Sequence, residues 1–423
     1  MIPSSSLDVH ATSDEAVQTR KGQGGGEQPT HAPIARCGKP RTILFVTATD
    51  GYGGSEKHLI ELVRRLPRSE SRPVILCTKA DPYTERLKRS RAVQVAVMRE
   101  AALKSWRDWY RVFRKIRPDV AVFIQGVLRA FPWYAYVGAR MAGIRRLYAI
   151  QHATPPPLPP REDGRSMRSI VHRLIGRRAR FLMSSRLRSF LCNATICVSN
   201  AVRNSLVGDY RFPANKTLTI HNGVSLEEFD PSHGNGAWVR AKLGLRAEDF
   251  VLVCSARLSK EKGVDILLKA MSRLVGKGMH CKCIILGDGQ LRGELLEQVR
   301  ILGMTRDVFM EGFQEDTRPY LLAANAFVLT SYQEGLPVAV LEAMACGLPC
   351  VVTNVGGNLE AVNHKVEGLV INSGSVDEVV DAVSYLLTHP LECARMSRMA
   401  QARMREVFDI EARMADVMRI ILN

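Results

Sequence analysis

Residues 327–352 read FVLTSYQEGLPVAVLEAMACGLPCVV. A β-type run at Phe327–Thr330 gives way to a loop, Ser331–Gly335. Pro337 then suits the first helical position, where it has no N–H to lose. The helix is expected to run to about Cys346, with Gly347 and Pro349 as stop signals, and a second β-type run begins at 349. Strand, helix and strand in this order argue for a parallel unit with a right-handed crossover. The stretch is apolar enough to be buried, yet it carries two carboxylates. Glu334 falls on the loop at the C-terminal end of the strand, and Glu342 falls in the second turn of the helix. Both can face a ligand held at the helix start. There the amides of Gly335, Leu336, Val338 and Ala339 lack intrahelical partners and suit phosphate oxygens. Sugar or ribose hydroxyls are the natural donors to acids beside such a site.

The same alternation extends in both directions. Strands are expected at 42–48, 73–78, 93–98, 119–124, 146–151, 194–198 and 217–220. A second series is expected at 250–255, 281–286, 307–310, 326–330, 349–353 and 368–371, with helices between. The class is therefore α/β, with parallel sheets. The rhythm pauses at 221–249, where HNGVSLEEFDPSHGNG is rich in turn formers. A boundary there leaves two α/β domains and a cleft between them, and ligands of open parallel sheets bind beyond the C-terminal strand ends. Residues 1–39 are polar and Gly/Ser-rich and are expected to be a disordered tail. Residues 390–422 are expected to be helical throughout.

The 423 residues are 46% hydrophobic and 24% charged, an ordinary globular balance. The net charge of +17 favours anionic partners. Aromatics are only 6%, without a nucleic-acid-binding pattern, so no nucleic-acid partner is expected. The ten cysteines form no CxxC pair and read as small buried hydrophobes in a reducing compartment. No apolar run reaches 18 residues and no signal core is visible, so a cytoplasmic location is expected, peripheral on the membrane at most.

Three more turns carry chemistry. DGYGGSE at 50–56 is a Gly-rich strand-to-helix loop, with Gly53 and Gly54 able to let a backbone approach an anion. It lacks the third glycine of a dinucleotide fingerprint and the GK[ST] of a P-loop. SARLSKEKG at 255–263 sets Arg257 and Lys262 beside a helix start, a pair suited to a diphosphate. LGDG at 286–289 is a turn at Gly287 against which a base could lie. Arg292 stands where a dinucleotide fingerprint wants Gly, so NAD is disfavoured. His152 ends a first-domain strand on the cleft side.

Taken in order, Gly53-Gly-Ser-Glu56, His221-Asn-Gly-Val224, Arg257-x4-Lys262, Glu334-x7-Glu342 and Val355-Gly-Gly-Asn-Leu-Glu360 resemble the retaining glycosyltransferases of family 4. The resemblance covers about 42–423. One departure is Ser225, where the family often has Asp. The resemblance implies a GT-B fold, two Rossmann-like doubly wound domains facing across a cleft. It divides the chain into an acceptor-binding domain at 40–222 and a nucleotide-sugar-binding domain at 223–407. A C-terminal helix, 408–423, packs back on the first domain. It implies sugar transfer from a nucleotide-diphosphate sugar to a hydroxyl of a saccharide or lipid-linked saccharide, in polysaccharide or glycolipid assembly. Glu342 would bond the donor ribose, and Glu334 the donor-sugar hydroxyls. Arg257 and Lys262 would neutralise the diphosphate, Gly54 would approach the phosphates, and His152 would contact the sugar. No acidic pair marks a metal site, so metal-independent transfer without a cofactor is expected. The alternatives are another GT-B activity, such as a phosphorylase or epimerase, and a non-catalytic nucleotide-sugar binder.

The segment 166–192 stands apart. Met167, Ile170, Val171, Leu174, Ile175, Phe181 and Leu182 follow a helical stripe, and nine arginines face two acids over 161–190. A basic amphipathic helix in the acceptor domain points to an anionic membrane surface.

Overall fold

The computed structural model describes residues 8–9, 39–48, 53–78, 84–85, 87, 93–98, 102–126, 131–155 and 177–423. Two separate sheets carry the fold. The first holds β1 (Asp8–Val9), β2 (Arg41–Thr47), β3 (Ser71–Cys77), β4 (Gln94–Val97), β5 (Val120–Gln125), β6 (Arg146–Gln151), β7 (Ala194–Cys197) and β8 (Thr217–Thr219). Its spatial order is β1-β4-β3-β2-β5-β6-β7-β8. The second holds β9 (Phe250–Ser255), β10 (Cys281–Leu286), β11 (Val308–Gly312), β12 (Ala326–Leu329), β13 (Cys350–Thr353) and β14 (Gly368–Ile371), ordered β11-β10-β9-β12-β13-β14. Every pairing except the β1 edge is parallel. Helices cover both faces, which is why central strands such as VAVFIQ at 120–125 are buried along their whole length. Each of the thirteen strands expected from the sequence is present, shifted at the ends by three residues or fewer.

The two orders position the site. Each sheet reverses direction at its first parallel strand, β2 between β3 and β5 and β9 between β10 and β12. Crevices open at such switch points beyond the C-terminal strand ends. The loops after β2, β9 and β12 are the ones singled out above. After β14 the chain runs through helices Val376–Thr388 and Pro390–Val407 and returns to the first sheet as helix Ile410–Leu422. Arg146 of β6 donates to the Leu422 and Asn423 carbonyls, at 2.9 Å each, and Arg65 pairs with Glu411 at 2.8 Å.

Four local expectations are corrected. The first helix begins at Gly54, inside the stretch 50–56 read above as loop, because the extended Gly53 caps it and its carbonyl takes the Lys57 amide at 3.0 Å. Pro337 is the cap, not the first helical residue, and its carbonyl accepts from Val340 and Leu341. The helix over 390–422 breaks at Phe408–Asp409, where the Phe408 carbonyl takes the Val224 amide at 3.0 Å and leaves the helical ladder. In the tail, Asp8–Val9 pair antiparallel with Ala96–Val97; the rest of 1–38 lies outside the described residues. Of the basic segment, the helix Arg177–Leu191 is described, while 166–176 and the proline run after Pro155 lie outside the described residues. Among the described residues no helix is long and apolar enough to cross a membrane.

Candidate active site

The β12 loop and the helix Val338–Ala345 hold the two acids in different settings. Glu334 is 6% exposed, and its Oε1 accepts from Lys262 Nζ at 2.7 Å and Ser331 Oγ at 2.7 Å. Its Oε2 makes no hydrogen bond among the described residues. Glu342 is 3% exposed, with Oε1 on Lys57 Nζ at 2.5 Å and Oε2 on Thr317 Oγ1 at 3.2 Å. Lys57 comes from the first domain, so this ion pair spans the joint. Between the acids, the amides of Gly335, Leu336, Val338 and Ala339 make no hydrogen bond among the described residues, as expected of a helix start. Arg257 is exposed on the loop after β9, and its guanidinium makes no hydrogen bond among the described residues. Lys262 and Arg257 lie on the same loop, and Lys262 is held by Glu334.

Glycines allow the segments to come this close. A Cβ on Gly335 would lie 1.9 Å from the His152 carbonyl, and one on Gly54 would lie 3.3 Å from Val338 Cγ2. The first domain's loop and strand end therefore rest directly on the β12 loop. Gly356, at φ +52°, and Gly357 do the same from behind; a Cβ on them would lie 2.0 and 2.1 Å from the carbonyls of Glu334 and Gly335. A Cβ on Gly287, at φ +130°, would lie 1.9 Å from the Ala256 carbonyl, so its absence lets the β9 and β10 loops pack together. Gly53 caps the first helix beside Glu56.

His152 follows β6, with its amide on the Gln125 carbonyl at 2.8 Å. Its ring meets that of His58 edge to face, with centroids 4.8 Å apart. His152 Nε2 and His58 Nδ1 are buried without a hydrogen-bond partner among the described residues. Burial holds His58 down to about 4, and burial with the adjacent His58 holds His152 well below the ordinary histidine range. Both rings are neutral near pH 7. Glu56 is pushed up by burial, against the pull of Ser55 Oγ and the Arg257 charge.

Two family models match the chain. Glycosyltransferase Family 4 matches residues 52–228, and Glycosyl transferases group 1 matches residues 239–403. The chain belongs to the family-4 glycosyltransferases. Its fold is GT-B, two Rossmann-like domains. HepE of Anabaena, solved with UDP, superposes with a TM-score of 0.72 at 21% identity, covering 89% of this chain and 98% of that one. A glycosyltransferase of Rickettsia africae gives 0.74 at 17%, covering 90% and 98%. Among curated relatives, a UDP-Gal:alpha-D-GlcNAc-diphosphoundecaprenol alpha-1,3-galactosyltransferase of Escherichia coli is 29% identical over 44% of this chain and 49% of its own length. A D-inositol 3-phosphate glycosyltransferase of Saccharomonospora viridis is 32% identical over 47% and 48%. The match spans about half the length of these curated relatives.

Within this family-4 chain, Glu334 is joined to Lys262, Gly335 rests on His152 and Gly54 on Val338, Arg257 shares the loop of Lys262, Leu336 and Ala339 flank the helix start, and Glu342 lines a cavity with Val338, Lys57 and His58. Gly287 sits a layer away, behind the β9 loop. Sequence reasoning missed Lys57, Thr317, Ser331 and His58. Lys57 and His58 sit on the helix that opens at Gly54, so the one available signal was their place in the first turns after the Gly-rich loop. Thr317 gave none. Nine cysteines are described, all free, and eight are buried; Cys37 lies outside the described residues. Burial pushes the thiols of Cys192, Cys197, Cys254 and Cys346 up to about 12, which leaves them unreactive.

Proposed function

We propose that this chain transfers a sugar, of hexose type, from a nucleotide-diphosphate sugar to a hydroxyl of a saccharide or lipid-linked saccharide, with retention and without a metal. The observation that carries the reading is the run of unpartnered amides at 335–339, flanked by one buried acid on each side and by Lys262 and Arg257. Glycosyl transfer must stabilise a departing diphosphate and an electron-poor anomeric carbon. Amides aimed at the phosphates and two cations supply the first electrostatically. Glu334, with Oε1 committed to Lys262 and Ser331, keeps Oε2 for a donor-sugar hydroxyl. Glu342 serves the ribose, and the neutral His152 ring offers a nitrogen to the sugar. Among the described residues no three His, Cys, Asp or Glu side chains gather as a metal site, and the cations above supply the charge instead. Retention rests on the family resemblance. The lipid-linked acceptor is supported by the Escherichia coli relative's diphosphoundecaprenol substrate.

The first test is thermal stabilisation by UDP, GDP, ADP and NAD, with and without EDTA, for the wild type and for Glu342→Ala. One nucleoside diphosphate is expected to stabilise the wild type equally in both buffers and to lose most of its effect in the variant. Stabilisation by NAD alone, or loss of the effect with EDTA, would refute the reading. Donor hydrolysis without acceptor then separates an enzyme from a binder.

A further inference from the structure

We propose that two packed helices of the first domain, Trp133–Met141 and Arg177–Leu191, form a docking surface for an anionic lipid bilayer. The inference is independent of the donor site. Between Val120 and Gly208 the sequence holds fourteen arginines, no lysine and only two acids, Glu162 and Asp163. Fourteen less two leaves twelve of the chain's seventeen net positive charges in this one segment. Neither helix contains an acid.

The helices are joined by buried polar contacts. Arg140 Nε donates to the Leu191 carbonyl at 2.8 Å, and Arg188 Nη1 donates to the Phe131 carbonyl at 3.2 Å. Outward, they expose large apolar side chains. Met183, Leu187 and Phe190 follow each other at spacings of four and three, one face of a helix, and are 58%, 37% and 71% exposed. Trp133 and Met141, eight apart on the other helix, are 41% and 60% exposed. Cations border them: Lys216 Nζ lies 5.7 Å from the Phe190 ring centroid, and Arg145 and Arg186 are exposed.

A scattered exposed leucine means nothing. A periodic apolar stripe on an acid-free basic helix, beside a second acid-free helix that exposes Trp133 and Met141, fits the headgroup boundary. There apolar side chains enter the acyl region and guanidinium groups meet lipid phosphates. A nucleic acid would use the arginines but has no use for Met183 and Leu187. An apolar protein partner would not exclude acids over so long a segment.

The test uses the full chain and sedimentation with vesicles of phosphatidylcholine, with and without phosphatidylglycerol. Binding is expected only with phosphatidylglycerol and is expected to fall as salt rises. Met183→Ser with Leu187→Ser and Phe190→Ser should cut partitioning at least about tenfold, with the melting temperature preserved. Phe190→Trp should keep binding and shift its emission to the blue when vesicles are added. Equal binding to phosphatidylcholine alone, or full binding by the triple variant, overturns the proposal. So does displacement by millimolar glycerol phosphate, which would place recognition in a phosphate pocket. Tighter binding to single-stranded RNA than to the vesicles would overturn it in favour of a nucleic-acid surface.

Discussion

Lys57→Ala should make the protein less stable and at the same time a tighter binder of its nucleoside diphosphate. In the structure Lys57 Nζ sits 2.5 Å from Glu342 Oε1, with the lysine side chain 25% exposed and the glutamate 4%. Lys57 also lies near Asp316, whose carboxyl is held below its ordinary range first by Arg318 and in smaller part by Lys57. A donor ribose that takes Glu342 must displace this ammonium or share the carboxylate with it. Fully exposed pairs are worth about 0.2–1 kcal/mol, whereas breaking a fully buried one costs about 3–5 kcal/mol. This pair, half screened on the lysine side, falls between them, at about 1–3 kcal/mol. The variant leaves Glu342 with Thr317 as its one hydrogen-bond partner among the described residues, so the free protein should melt a few degrees lower. Ribose hydroxyls arriving at an unclaimed carboxylate should bind about 5- to 100-fold tighter. Titration calorimetry with the diphosphate selected by the thermal panel measures the affinity, and a scan without ligand measures the stability. Weaker binding by the variant would refute the reasoning, because Lys57 would then be a ligand of the donor and not its competitor. Unchanged binding would place the ribose away from Glu342.

Lys262→Ala should lower kcat by about a hundredfold or more with a smaller change in donor KM, since its charge counts most as the diphosphate departs; steady-state kinetics with equal losses in both would argue for a ground-state role. Gly335→Ala must push its loop off the His152 carbonyl, which a Cβ would approach to 1.9 Å; a cost of about 1–3 kcal/mol and a large loss of activity are expected, and a neutral melting temperature would contradict the contact. His58 is 6% exposed and held down from 6.5 to about 4, so the unfolded chain takes up its proton before the folded one does. Its neutral burial favours the folded state above pH 6.5, and that contribution is lost as pH falls from 6.5 toward 4, by about 3 kcal/mol in all. Urea unfolding of His58→Phe across this window should show a shallower pH slope than the wild type, and an identical slope would mean that His58 is not the group responsible.

How far the sequence reaches depends on what each feature is local to. Strands buried on both faces declare themselves as apolar runs, and all thirteen were legible. The acids were legible because a charged residue inside an apolar stretch stands out, and Lys262 because it shares a turn with Arg257. Lys57 was not, because its partner Glu342 lies 285 residues away across the joint. The break at Phe408 was hidden for the same reason: the group that claims its carbonyl is the Val224 amide, from a distant loop.

The glycines show a subtler limit. From sequence, Gly335 reads as a residue that lets a ligand approach. In the structure its missing side chain is required by the His152 backbone on one side, while Gly357 rests against its carbonyl on the other. The two explanations are linked by the planarity of the peptide. The Gly335 carbonyl accepts from Ser199 Oγ at 2.9 Å and from the Gly357 amide at 2.8 Å. In a trans peptide the following N–H points the opposite way. Fixing that carbonyl therefore turns the Leu336 amide to the other side of the loop, where it has no partner among the described residues. The Leu336 carbonyl is held in turn by Asn222 Nδ2 at 2.9 Å, and Pro337 has no hydrogen to offer. The donors left at this helix start are thus oriented by backbone packing between the domains before any ligand arrives. A site built this way needs its glycines for packing in order to have its amides for binding.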